Sequence, residues 1–194
     1  MNDLVQRIEL CKLMIARDSM TAVAETSGLI LALKIDHTHP LYKPLHDAVV
    51  SSYGRAFTEI QPLGRLSKIW SRFDNDELEK THRMLMYYRN KNVGHTDFIK
   101  GRVVIYPKGA KLEDNSVAKN VQYSVLYQSF ATTELIAIQK LAGNLAGRLI
   151  VEIDRLMTKL YGEQGKDLSD QTDLISEDEL EQLRLAKRNK NQRH

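Results

Sequence analysis

The sequence predicts a mainly α-helical protein of one domain, and three features predict it. Aliphatic residues recur at steps of three, four and seven over four long segments, the spacing that gives a helix one buried stripe. Capping and breaking residues stand between those segments, in particular "DHTHP" at 36–40 and "DNDE" at 74–77. Only two short segments, "RVVIY" (102–106) and "VQYSVLY" (121–127), carry the β-branched and aromatic richness of strands.

Composition sets the outer bounds. At 194 residues with 42% hydrophobic content, the chain is long enough for one domain with a sizeable core and too apolar to be generally disordered. A single cysteine, Cys11, excludes an internal disulfide. The opening "MNDLVQRIELCKLMIARD" interrupts its apolar residues with charges, which argues against a signal peptide or membrane span; the expectation is a cytoplasmic protein with no membrane partner. A formal net charge of +3 neither demands nor forbids an anionic partner, so any nucleic-acid site has to be local.

Taken in order, residues 3 to about 33 place Leu4, Ile8, Cys11, Ile15, Val23, Ile30 and Leu33 on one helical stripe, with Gly28 a candidate kink or end. Pro40 disfavours helical geometry in the residue before it, so a second helix starts near Leu41 and runs to about Ile60, with Leu45, Ala48, Val49, Ser52, Ala56 and Phe57 facing inward. A third helix begins at the capping candidates of "DNDE" and carries Leu78, His82, Leu85, Met86, Arg89 and Val93 towards Gly94. The two strand-like segments, separated by the polar "PKGAKLEDNSVAKN", predict a small β-hairpin between the third and fourth helices. From Ala131 to Tyr161, Leu135, Ile138, Leu141, Leu145, Leu149, Ile153, Leu156 and Leu160 form the longest apolar stripe, and Ala142, Gly143, Ala146 and Gly147 allow close approach by another helix.

The domain is expected to span residues 1–161. Residues 162–194, acidic and then basic ("RLAKRNKNQR", 184–193), read as a charged C-terminal tail with a short helix: a solvated charge run first, an auxiliary RNA contact second. There is no Gly-rich phosphate loop, nucleophile elbow or cysteine–histidine zinc framework. "HTH" at 37–39 has only Asp36 and His46 nearby as further ligands, so neither a metal nor a cofactor is assigned.

What stands out is "YYRNKNVGHTD" at 87–97, which loads the end of the third helix with Arg89, Asn90, Lys91 and His95. Polar residues at a helix C-terminus can simply satisfy its last carbonyls, and cations there complement the macrodipole. Four helices with an arginine, a polar residue and then a histidine after a gap of five residues (90–94) also resemble the HEPN superfamily; "SSYGRAFTEI" upstream and "GHTD" downstream are similar to an uncharacterised prokaryotic branch of it. The resemblance covers roughly residues 40–160. It implies an HEPN-like four-helix up-and-down bundle that dimerises and, in many members, a metal-independent endoribonuclease of toxin–antitoxin, abortive-infection or CRISPR systems. A cognate antitoxin is then a candidate partner, as are RNA and nucleotides.

The residue chemistry is compatible with that reading. Cleaving RNA without a metal needs a group that moves protons near neutrality and a fixed cation on the phosphate, roles suited to His95 and Arg89, the catalytic candidates. Asn90 and Lys91 are the binding candidates, the amide orienting phosphate or imidazole and the ammonium contacting phosphate. On a straight helix, six residues turn about 600°, leaving Arg89 and His95 roughly 120° apart. Either the backbone bends at Gly94, or the helix ends of two copies meet across a two-fold axis, the arrangement that the resemblance implies. Asp97 departs from the pattern by setting a carboxylate near the expected phosphate, and no tyrosine follows the histidine as in toxins silenced by modification there. Two readings stay open: a dimeric endoribonuclease, or a non-catalytic HEPN-like module that binds nucleotide, RNA or protein.

Overall fold

Two thirty-residue helices packed along each other form the frame: α1 (Asp3–Ala32) and, much later in the chain, the helix Thr132–Tyr161. Between them come α2 (Tyr42–Phe57), a 3-10 turn (Lys68–Ser71), α3 (Asp76–Tyr88) and two antiparallel strands, β1 (Arg102–Tyr106) and β2 (Gln122–Leu126), paired with Val104 opposite Ser124. The late long helix is therefore α4, and α5 (Glu177–Asn191) closes the order. The computed structural model describes residues 3–90, 102–112, 115–126, 129–162 and 174–191. The protein is mainly helical, and one hydrophobic core gathers side chains from α1, α2, α3 and α4.

The stripe expected on α4 is buried from Leu135 to Leu156, and Ala142 joins it. Glu134 accepts a hydrogen bond from Ala131 N (2.8 Å), fixing the helix start. On α1 the buried line runs instead through Leu10, Leu13, Ala16, Met20, Val23 and Ile30. Leu4, Ile8, Cys11 and Ile15 flank it half-buried, and Leu33 is exposed. The phase shifts because Ser19 and Ser27 also lie inside, donating to Ile15 O (2.8 Å) and Val23 O (2.7 Å), so these polar residues need no water. Gly28 does not end α1: it lies where a Cβ would come within 2.9 Å of Gln139 Nε2 on α4. The helix ends at Ala32, and Lys34 beyond it is in the left-handed region at φ 50°, while Ile35 N donates back to Ile30 O (3.0 Å).

The α2 face also differs from the sequence expectation, for Ala48 is exposed and Tyr42, His46, Val49, Val50, Tyr53 and Gly54 face inward with Ala56. Of the charged C-terminal segment, the expected short helix is α5, and it is tied to the bundle at a few points. Ile175 is buried, Glu179 of α5 accepts from Arg7 Nη2 (2.6 Å) and Nη1 (3.0 Å) of α1, and Lys187 pairs with Glu59 just beyond α2. Among the described residues, no helix is long and apolar enough to cross a membrane.

Candidate functional site

The site is built on α3, whose start is unambiguous. Asn75 Oδ1 accepts from Glu77 N (2.8 Å) and Leu78 N (3.2 Å), and Asp76, Glu77 and Glu79 fill the first turn, where the helix dipole favours anions. Leu78, Thr81, Leu85 and Tyr88 form its buried face. At the far end Arg89 is the C-cap, its N donating to both Leu85 O and Met86 O.

Arg89 is anchored at two points. Its aliphatic stem crosses α2 at Gly54, where a Cβ would come within 2.3 Å of Arg89 Cγ, so only glycine leaves room for it. Its guanidinium donates from Nη1 to Asn90 Oδ1 (3.0 Å), and among the described residues no carboxylate pairs with it. Asn90 is exposed and Arg89 partly so, and the guanidinium has further donors beyond the one that Asn90 accepts. Of the residues singled out in the sequence, the structure thus joins Arg89 to Asn90; Lys91, Gly94, His95 and Asp97 lie outside the described residues.

Two histidines pack against this region: His82, which the sequence already placed on the stripe of α3, and His46 of α2, which it did not place on an inner face. His46 of α2 is 5% exposed and stacks on Phe130 at 4.4 Å between centroids, with Tyr88 edge-on at 5.9 Å and Tyr42 at 6.0 Å. Burial lowers its pKa, an effect partly opposed by Asp47, whose Oδ1 lies 3.3 Å from Nδ1. Its Nε2 has no hydrogen-bond partner among the described residues. Phe130 is held in turn by a 2.6 Å hydrogen bond from its backbone N to Tyr42 Oη. His82 of α3 packs among Tyr53, Phe57 and Phe73, and its Nδ1 lies 2.6 Å from Tyr53 Oη. Burial lowers the pKa of His82 and pushes the fully buried Tyr53 hydroxyl well above its ordinary value. Both imidazoles, their pKa values lowered below the ordinary value of 6.5, are therefore neutral near pH 7 and belong to the aromatic packing between α2 and α3.

The sequence signal for the α2 part of this layer was the recurrence of Tyr42, His46, Val49 or Val50, and Tyr53 at helical steps, visible once an aromatic or histidine is allowed on a buried face. His37 and His39 stay in the exposed loop between α1 and α2, His39 Nδ1 accepting from Leu41 N (3.1 Å). Among the described residues, no three His, Cys, Asp or Glu side chains cluster so as to hold a metal ion. Compared with known proteins, the chain matches no family model, no curated protein and no solved structure.

Proposed function

We propose that the end of α3 binds RNA phosphate through Arg89 and that, with His95, it cleaves RNA without a metal, as an HEPN-like endoribonuclease. The observation that supports this reading is the mounting of Arg89: its stem lies over Gly54, its fork is oriented by Asn90, and no described carboxylate neutralises it. A guanidinium so fixed loses little conformational freedom on meeting a phosphate and offers two parallel donors to its oxygens. In the reaction, the 2′-hydroxyl loses its proton and attacks the adjacent phosphorus. The bond from phosphorus to the 5′-oxygen breaks, and that oxygen takes up a proton. The products are a 2′,3′-cyclic phosphate and a 5′-hydroxyl. His95 is assigned the proton transfers, Arg89 the charge on the phosphate oxygens, and Lys91 a further phosphate contact.

The test is cleavage of single-stranded RNA in EDTA. The wild-type protein should yield 2′,3′-cyclic phosphate ends. Because a positioned acid–base group contributes roughly 10²–10⁴-fold, His95→Ala should lose cleavage by that order and keep RNA binding. Arg89→Ala should lose cleavage and weaken binding. A wild-type protein that binds RNA but leaves it intact from about pH 6 to 8, the range in which histidine titrates, would reduce the site to a binding module. RNA binding and cleavage that are both indifferent to Arg89→Ala would remove the site from the function altogether.

A further inference from the structure

The outer face of α4 carries features that its role in the core does not require. Opposite the buried stripe, at about 100° per residue, Ile136, Lys140, Gly143, Gly147, Ile150, Val151 and Asp154 fall within one sector of the helix. Ile136 is 53%, Ile150 45% and Val151 70% exposed. Among the described residues, a Cβ built on Gly143 or Gly147 meets nothing within 4 Å. Val151 also forms one wall of a groove of about 550 Å³, with Ile69 and Trp70 opposite. Arg148 spans that groove, its guanidinium 5.6 Å from the Trp70 ring centre and donating to Arg72 O (3.1 Å).

We propose that this face docks a second copy of the chain, with the two α4 helices antiparallel and the two-fold axis at Gly147. The register follows from self-complementarity. Lys140 and Asp154 lie seven positions before and after Gly147, so each ammonium comes level with the other chain's carboxylate about 10 Å from the axis, given 1.5 Å of rise per residue. Gly143 and Val151 lie four positions before and after it, so each exposed valine meets the gap left by the other chain's glycine. Opposite charges and a knob facing a gap are thus satisfied by the same two-fold operation, which a partner of unrelated sequence would not guarantee. Among the described residues, Lys140 is held in the monomer only by an exposed pair with Glu77 (2.9 Å), which the contact can share.

Phe130, which packs against Tyr88 at the end of α3, lies about 25 Å from the two-fold at that rise, so the two Arg89 sites are roughly 50 Å apart and each serves its own chain. An arrangement in which one chain's arginine meets the other's histidine requires a different contact. The α4 proposal does not rest on the RNA reading, and its test involves no RNA.

Light scattering on the full chain at about 50 μM, a concentration suited to a micromolar dimer, should give twice 22.2 kDa. Gly147→Arg sets two cations together at the axis and should weaken the dimer by at least about tenfold, with helical circular dichroism unchanged because the position is open. Asp154→Lys should do the same, and adding Lys140→Glu should restore association. In a Cys11→Ser background, Gly147→Cys should form a disulfide-linked dimer under mild oxidation, since glycine-packed helices bring the two Cα atoms within about 4.4–6.8 Å. A wild-type monomer under these conditions, or a dimer untouched by Gly147→Arg, would overturn the proposal.

Discussion

Gly54→Ala tests the mounting of Arg89 directly. Within a helix this change ordinarily stabilises by roughly 0.5–1 kcal/mol, because the unfolded chain loses freedom. Here the new methyl group would lie 2.3 Å from Arg89 Cγ, 3.2 Å from Cδ and 3.3 Å from Cβ. Cγ is near the root of the side chain, so Arg89 cannot yield by moving its tip; it must change its first torsion or push α3 away. Overpacking of this kind costs about 1–3 kcal/mol, so the single variant should run from neutral to about 2 kcal/mol less stable than wild type. In an Arg89→Ala background only the 3.3 Å contact of these three remains, and the same change should stabilise by up to about 1 kcal/mol. The cycle of four proteins, followed by urea denaturation with circular dichroism, should therefore show a coupling of about 1–3 kcal/mol. If Gly54→Ala has the same effect in both backgrounds within about 0.5 kcal/mol, the scatter expected for independent sites, the stem does not lie on Gly54.

Two further outcomes follow from buried and clasped charges. Both His46 and His82 have pKa values lowered by burial, so below the ordinary value of 6.5 the unfolded chain binds protons that the folded chain refuses, and stability must fall as pH drops. The melting temperature should decline on moving from about pH 7.5 to pH 5.5, across the imidazole range, and His82→Gln should flatten that decline; an unchanged slope in the variant would show that His82 titrates freely. At the other end of the molecule, Glu179 is held at about 2 by its hydrogen bonds from Arg7, so the α5 clasp is complete at neutral pH and loosens only as pH falls from 4.5 towards that value. Arg7→Ala at neutral pH should expose α5 to faster tryptic cleavage at Arg184 and Arg188, and an unaltered cleavage rate would mean that other contacts hold the helix.

The mainly helical character was legible because the α4 stripe repeats aliphatic residues without interruption, and such a pattern has one geometric solution. The phase of α1 was not, because Ser19 and Ser27 satisfy themselves on the preceding turn and sit inside, which a count of apolar residues cannot foresee. Ala48 was assigned to the wrong side of α2 for a related reason: a rule that sends polar groups outward cannot put His46 and Tyr42 in the core, where aromatic neighbours and one long-range hydrogen bond accommodate them. The charged C-terminus looked solvated because its acidic and basic blocks compensate each other locally, whereas Glu179 and Lys187 find their partners on residues far away in the chain. Arg89 and Asn90 were legible as a cluster because they adjoin in sequence. Gly54 was not, since nothing local says which side chain will lie across it.

The hydrogen bond from Phe130 N to Tyr42 Oη joins positions 88 residues apart, and the Tyr88 ring rests edge-on against Phe130 at 5.3 Å. In polymer terms, the chain from the end of α3 to the start of α4 is a loop, an excursion whose two ends are clamped within one ring contact. Closing such a loop costs free energy that grows only with the logarithm of its length, about 0.6 kcal/mol for each doubling. The excursion bearing β1 and β2 can therefore lengthen, shorten or change composition almost without cost to the helices that support it. A surface that must keep pace with a changing partner can be remodelled there, while the four-helix core below it remains the same.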